Sequence, residues 1–305
     1  MAVYEVADVI IVFGSVNVDL VLPVGGLPRP GETVLTPAYS VVAGGKGANQ
    51  ALAAARAGAS VAMFGCVGRD GFAEPALALL RRGGVDLSGI REGDAATGCA
   101  MVCVDEAGEN HIVVASGANL EARAGQVPDA VLSAANTVLL QLEVAGAENQ
   151  AVIARAQQGG ARIVLNGAPA SPQPYHVLAA LHVLVVNEIE AEMLAGPLGG
   201  NGQPGDTMAR RLGLAVVVTL GGRGARAYTP GGDWSIGALP VTPVDSTGAG
   251  DAFIGTLAAA LDDGADLWDA LRPASVAGGL ACTKAGAQTG LANADAVRRR
   301  LGDLA

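Results

Sequence analysis

The chain has 305 residues, half of them hydrophobic, enough to bury a sizeable core in one large domain with or without a small appendage. Only 16% of residues are charged, the net charge is −10 and the pI is about 4.7. A nucleic-acid partner is not expected: the one basic cluster, Arg298-Arg299-Arg300, stands where a last helix would end.

Residues 9–13, Val-Ile-Ile-Val-Phe closed by Gly14, predict a buried strand. Residues 15–22 alternate polar and apolar, which predicts a strand with one wet face and puts Asn17 and Asp19 on the same side. Such a pair suits either adjacent sugar hydroxyls or an exposed edge. Residues 23–37 are a Pro- and Gly-rich connection. Ala43-Gly44-Gly45-Lys46-Gly47-Ala48-Asn49-Gln50-Ala51 then leads into a helical run ending at Gly58. Lys46 is followed by Gly, so this is not a Walker A loop. Its glycines permit close backbone approach, and Lys46 and Asn49 supply donors near a helix start. Residues 60–67 predict a strand, 72–82 a helix, and 97–104 and 110–115 two strands joined by a turn at 106–109. With the alternating strand, that hairpin would form a small sheet apart from the main one.

From about residue 136, strands at 137–142, 162–165, 183–186 and 215–220 alternate with helices at 150–157, 175–180, 191–195 and 207–212. This pattern predicts a parallel sheet covered on both faces, with ligands at the carboxyl ends of the strands. Glu143 follows the first of these strands. Asn187 and Glu190 follow the third, one helical turn apart, as a helix cap or as a holder for phosphate and hydrated Mg²⁺. The one low-complexity stretch is the Gly-rich run 196–205. After Thr219, the loop Leu220-Gly221-Gly222-Arg223-Gly224 opens a G-x-G-x-x-A string. That string runs into a hairpin near residues 228–232 rather than a helix, and it lies far from the first βαβ unit, so a dinucleotide site is rejected.

The stretch Val244-Asp245-Ser246-Thr247-Gly248-Ala249-Gly250-Asp251-Ala252-Phe253 carries the chemistry. A small-residue turn precedes an apolar helical run, 252–261, whose unpaired N–H groups make an anion site. Asp251 stands beside it, where a carboxylate can take a proton from an attacking hydroxyl. An anion hole next to a base is what phosphoryl transfer to an alcohol requires. A helix over 267–283 follows. The four cysteines, Cys66, Cys99, Cys103 and Cys282, lack C-x-x-C spacing, and the three histidines are scattered, so neither disulfides nor zinc are expected. No apolar run is long enough to cross a membrane and no leader-like n-region is visible, which predicts a cytoplasmic protein without a membrane partner.

DSTGAGDAF and GGKGANQA resemble the two signatures of the ribokinase-like (PfkB) sugar kinases, and the likeness runs nearly end to end. The resemblance implies one kinase domain over residues 1–305: a three-layer α/β/α fold, its sheet mostly parallel, with a small β-sheet lid from about 15–42 and 97–116. It implies ATP-dependent phosphorylation of a sugar, with Asp251 as base and Gly248, Ala249 and Gly250 as anion hole. Asn17, Asp19, Gly45, Lys46, Asn49 and Glu143 would hold the sugar. Asn187, Glu190, Thr219, Gly221, Gly222, Gly224 and Gly250 would face ATP and Mg²⁺. Asp245, Thr247, Ala281, Lys284, Gly286 and Gly290 would surround a K⁺ ion, Gly290 standing where relatives often carry Ser. The resemblance also implies a homodimer through the lid. GGKGANQ, Glu143 and Gly117-Ala118-Asn119 favour D-ribose, while another pentose such as deoxyribose, a ketohexose or a nucleoside stays open; an aromatic content of 3% speaks against stacking on a base. A non-catalytic sensor on the same fold is the reading from another class.

Overall fold

A computed structural model describes residues 8–199 and 202–304. The Gly-rich run noted above therefore falls partly outside the described residues, as does most of the stretch on which the leader reading rests. The strands are β1 (Val9–Phe13), β2 (Asn17–Pro23), β3 (Ser40–Gly44), β4 (Ser60–Val67), β5 (Asp86–Glu92), β6 (Gly98–Val104), β7 (Asn110–Ala115), β8 (Thr137–Leu140), β9 (Arg162–Asn166), β10 (Val183–Asn187), β11 (Ala215–Thr219), β12 (Ala225–Thr229) and β13 (Gly232–Ile236). The helices are α1 (Lys46–Ala57), α2 (Ala73–Arg82), α3 (Gly146–Gly159), α4 (Tyr175–Leu178), α5 (Glu188–Ala195), α6 (Pro204–Leu212), α7 (Ala249–Asp262), α8 (Leu267–Ala281) and α9 (Ala294–Arg300).

Nine strands form one sheet in the order β13-β12-β11-β10-β9-β8-β1-β4-β5, parallel except for the β11–β12–β13 meander. The chain winds outward from β1 in both directions, so the order reverses between β1 and β8. In open α/β sheets a ligand crevice forms at the carboxyl ends of the strands flanking such a reversal. Successive residues of the buried strands serve opposite layers. Ile11, Phe13, Leu140 and Leu165 pack with Ile153 of α3 and Leu194 of α5, while Ile10, Val12, Leu139 and Val164 pack with Ala51 of α1 and Leu257 of α7. The expected three-layer arrangement is thus what the chain adopts.

The second sheet has the order β3-β2-β6-β7 and holds the alternating strand and the hairpin, as predicted. Its central pair, β2 and β6, is parallel. Some boundaries differ. Ser15 does not join β2, because its backbone and side chain are taken up by the start of α1. β8 stops at Leu140, since the Leu142 N–H turns to the Ala168 carbonyl. The helix α3 starts at Gly146, a turn earlier than its apolar residues indicate. β5 was not foreseen: Asp86-Leu87-Ser88-Gly89 carries no β-branched residue, and among the described residues the strand pairs with β4 alone, across a register shift.

Helices α1 and α7 lie unusually close. A Cβ on Gly255 would sit 2.5 Å from the Gln50 carbonyl oxygen and 2.6 Å from the Ala53 Cβ. Gly255→Ala gains up to about 1 kcal/mol of helix propensity but forces the helices apart, which typically costs about 1–3 kcal/mol. The urea midpoint is expected to fall; a raised midpoint would mean that the two helices have room to separate.

Candidate active site

Polar residues collect at the carboxyl edge of the sheet, on both sides of the β1/β8 reversal. The Glu143 carboxylate, just past β8, accepts from the Ser15 hydroxyl at 2.5 Å and from the Lys46 N–H at 3.0 Å. The Ser15 Oγ in turn accepts from the Gly47 N–H at 3.1 Å, and its carbonyl accepts from the Ala48 N–H at 2.9 Å. The first N–H groups of α1 are therefore satisfied by protein and are not an anion site. Gly45, at a φ of 88°, makes the left-handed turn into this helix. Gly47 lets the helix lie on the strand junction, since a Cβ there would meet the Ser15 nitrogen at 2.5 Å.

From β2, Asn17 and Asp19 share one face of the small sheet, as their spacing predicts. Asn17 is buried and accepts from Asn119 at 2.7 Å, and Asn119 also accepts from the Val16 N–H at 2.8 Å. Asp19 lies over Gly44, whose missing Cβ makes room for the carboxylate: a side chain there would reach its oxygens at 2.4 Å. Burial raises the Asp19 pKa from 3.8 to about 6, helped by the neighbouring negative charges of Glu143 and Asp251.

Asp251 sits in the first turn of α7 and is buried. Its Oδ2 accepts from the Asn49 amide at 2.9 Å and its Oδ1 from the Gln50 amide at 2.9 Å. Burial raises its pKa, against the opposing pull of Lys46 and of the two amides. Burial by itself would lower the Lys46 pKa, yet Asp251, Glu143 and Glu190 outweigh it and hold the ammonium above its ordinary value. One cation thus serves a crowd of carboxylates. Gly248 caps α7 at a φ of 77°, and a Cβ on it would strike the Ala287 backbone at 2.8 Å. Of the three residues expected to form an anion hole, Ala249 already gives its N–H to the Ser246 carbonyl at 3.2 Å. The Ala252 N–H bonds the Gly248 carbonyl, and the N–H groups of Gly248, Gly250 and Asp251 have no backbone acceptor.

A cavity of about 140 Å³ adjoins Asp251, lined by Lys46, Asn187, Glu190, Thr219 and Gly250 among others. Asn187 and Glu190 form a reciprocal cap: each side chain accepts the other's backbone N–H at 2.8 Å. The Glu190 Oε2 serves that cap and its second oxygen is free for the cavity; burial raises its pKa in spite of the Asn187 N–H and Lys46. Gly221, Gly222 and Gly224 lie beyond this cavity. Gly221 and Gly222 belong to a short turn, and Gly224, with φ 94°, packs where a Cβ would meet the Ile236 carbonyl at 2.0 Å. A larger cavity, about 590 Å³, opens at the opposite edge beside Asp8, Ser60 and Asp262. It touches none of these groups and lies at the amino ends of the strands, the wrong edge for an α/β ligand site.

On the far side of the turn, Asp245 accepts from the Thr247 N–H at 2.9 Å and the Gly286 N–H at 2.8 Å. These bonds hold its carboxyl below the usual range although burial works the other way. The carbonyls of Ala281 and Gly286 converge on Gly290, at 2.7 and 3.3 Å from where its Cβ would be. The Lys284 N–H bonds the Ala281 carbonyl at 3.5 Å.

Sequence reasoning passed over Ser15, Gln50, Gln141 and Asn166. Gln50 lay in plain sight inside GGKGANQA. Gln141 is the polar break in Leu139-Leu140-Gln141-Leu142, and Asn166 ends β9 as Asn187 ends β10. A polar residue closing a buried strand was the signal to follow.

The Asp19 pKa has a testable consequence. A carboxyl that holds its proton more tightly when folded stabilises the protein fully below pH 4, and that contribution is lost as pH rises through about 6. Asp19→Asn is therefore expected to gain on the parent in urea unfolding between pH 4 and 7, by up to roughly 3 kcal/mol. A difference independent of pH would show that Asp19 titrates like an exposed carboxylate.

The pfkB family carbohydrate kinase model matches residues 7–294. The chain is 35% identical over 289 residues to a ribokinase of Haemophilus influenzae, covering 92% of this chain and 94% of that one. It is 32% identical over 294 residues to a deoxyribokinase of Salmonella typhi, with the same coverage of each chain. The structure of Arabidopsis thaliana ribokinase complexed with ribose and ATP superposes with a TM-score of 0.86 at 29% identity, covering 97% of this chain and 99% of that one. On these grounds, and with the two signature stretches meeting at Asp251, the chain belongs to the pfkB family of carbohydrate kinases.

Proposed function

We propose that this kinase transfers the γ-phosphoryl group of ATP to the primary hydroxyl of D-ribose, giving D-ribose 5-phosphate and ADP. The observation that carries this reading is the environment of Asp251. A buried carboxylate is held by Asn49 and Gln50, next to unpaired N–H groups and beside a polar cavity bordered by Lys46 and Glu190.

In this reading Asn17, Asp19, Gly45, Lys46, Asn49 and Glu143 hold the sugar. Asn49 supports it with a buried Oδ1 that has no partner, an acceptor suited to a sugar hydroxyl. Asp251 removes the hydroxyl proton. The sugar oxygen forms its bond to the γ-phosphorus as the bond to the bridging oxygen breaks, and that electron pair leaves on ADP. The N–H groups of Gly250 and Asp251, with Lys46, stabilise the charge on the phosphoryl oxygens. The small sheet acts as a lid that keeps water from the γ-phosphate.

Mg²⁺ entering with ATP supplies charge neutralisation on the phosphates. Among the described residues no cluster of three or more His, Cys, Asp or Glu could hold a metal. This fits an ion that the nucleotide carries, steered by Asn187 and the free oxygen of Glu190. Thr219, Gly221, Gly222 and Gly224 would run along the nucleotide. Asp245 with the carbonyls of Thr247, Ala281, Lys284, Gly286 and Gly290 is an all-oxygen set suited to K⁺, which would brace the anion-hole turn from behind. Gly290 would contribute only a carbonyl.

A homodimer through the lid belongs to the same reading. Val41, Met101 and Val113 are exposed and follow one rung of the ladder through Leu20, next to the Asp19 rung and so on the face turned away from the site. The free cysteines and the acidic charge suit a cytoplasmic enzyme without nucleic-acid partners.

ADP release is to be measured with ATP, Mg²⁺ and K⁺ across D-ribose, deoxyribose, fructose, tagatose and nucleosides, with D-ribose expected to give the highest kcat/KM. A preference for deoxyribose would overturn the sugar and keep the chemistry. Asp251→Asn is expected to lower kcat by at least about 10²-fold with ATP binding nearly intact; turnover near the parent's would remove Asp251 as the base. Replacing K⁺ by Li⁺ is expected to slow the reaction, and an unchanged rate would remove the cation from the reading.

A further inference from the structure

Behind Asp251, on the side away from the cavity, lies a chain of buried amides. The Gln50 Nε2 donates to the Asp251 Oδ1 at 2.9 Å and to the Asn166 Oδ1 at 3.0 Å. The Gln50 Oε1 accepts from the Gln141 Nε2 at 2.8 Å. The Asn166 Nδ2 donates to the Val185 carbonyl at 3.2 Å, and the Asn149 Nδ2 donates to the Gln141 carbonyl at 2.6 Å. Gln50 and Gln141 have no exposed surface.

The polarity of this chain is fixed by chemistry. An ionised carboxylate and a backbone carbonyl only accept, and they stand at its two ends. Asn166 must turn its NH₂ to Val185, which leaves its oxygen for Gln50. Gln50 must then spend both amide protons on Asn166 and Asp251 and receive Gln141 on its oxygen. If Gln50 flipped, its oxygen would face two acceptors and its NH₂ would face another NH₂. Asn49 stands outside this chain: its Nδ2 donates to the Asp251 Oδ2 and its Oδ1 has no protein partner.

We propose that Gln50, locked by Asn166 and Gln141, is the positioning residue that holds Asp251 as an acceptor at Oδ1 and leaves Oδ2 to carry the substrate's proton. The inference rests on the reading of Asp251 as base. Gln50 keeps the carboxyl in one rotamer throughout. The direction of the electrostatics agrees, since burial raises the proton affinity of Asp251 while the Gln50 amide opposes it. The charged groups facing Asp251 are Lys46 of α1, Asp19 of β2 and Glu143 after β8, with Glu190 of α5 acting through Lys46. None of them is changed by a substitution at Gln50 or Gln141, so the difference between two pH profiles reports on Asp251.

The test is the single-turnover rate of phosphoryl transfer against pH, with saturating D-ribose and ATP, for the parent, Gln50→Met and Gln141→Met. Folding of each variant is checked first by circular dichroism. Loss of one hydrogen bond to a charged group is expected to move the acid limb of Gln50→Met up by about one pH unit, about tenfold in proton affinity. Gln141→Met, which only unlocks Gln50, is expected to move it the same way by less. An unshifted limb in Gln50→Met overturns the inference, even if the plateau rate drops. If that variant does not fold, an unshifted limb in Gln141→Met overturns it instead. Asp251→Asn separates the two failures: if it turns over normally the base itself is wrong, and if it is slow while the limb stays in place only Gln50's role is wrong.

Discussion

Glu143 is the contact on which the site's geometry depends. Its carboxylate accepts from the hydroxyl that follows β1 and from the first N–H of α1, while its own backbone leaves the end of β8. Three segments far apart in sequence are pinned at the point where the strand order reverses. The same bonds use up the helix start that would otherwise attract an anion. At α7, which the chain enters through a left-handed glycine, the N–H groups of Gly250 and Asp251 have no backbone acceptor. Two helices with superficially similar glycine-rich starts are thus capped differently.

The second constraint is electrostatic. Asp251, Glu143 and Glu190 face Lys46, and burial raises the proton affinity of Asp251, Glu190 and the nearby Asp19. Like charges that cannot move apart settle the conflict by holding protons or by recruiting donors. In Asp251 the donors are amides, which stabilise a charge without bringing a second one. A carboxyl whose proton affinity is raised by burial is a stronger base than an exposed one, and the amides oppose part of that rise.

The fold was largely legible, because buried parallel strands and their helices leave periodic apolar runs that need no partner to be recognised. The residues around Asp251 were legible through the two signature stretches; spacing put Asn17 and Asp19 on one face, and only the resemblance singled them out for a sugar. The limits are equally physical. Gln50, Gln141 and Asn166 are joined by hydrogen bonds between segments that no local pattern relates, so each looked like an isolated polar residue. Ala249 was expected as an anion donor through the resemblance, yet only the geometry shows its N–H engaged by Ser246. β5 escaped because an edge strand, paired on one side, tolerates the glycine and the acids that a central strand would not.

The parallel pairing at the heart of the small sheet bears on how the molecule assembles. Asn17 pairs with Gly98, and every residue of β2 meets a strand reached only after α1, β4, α2 and β5 have been laid down. Closing so long a loop is entropically expensive until the central layers hold both ends in place, whereas β8 to β11 join neighbours in the chain. The topology therefore favours an order of events: the β8 to β11 part of the large sheet matures from local contacts, and the small sheet is completed only when a nearly finished core presents β2 and β6 to each other.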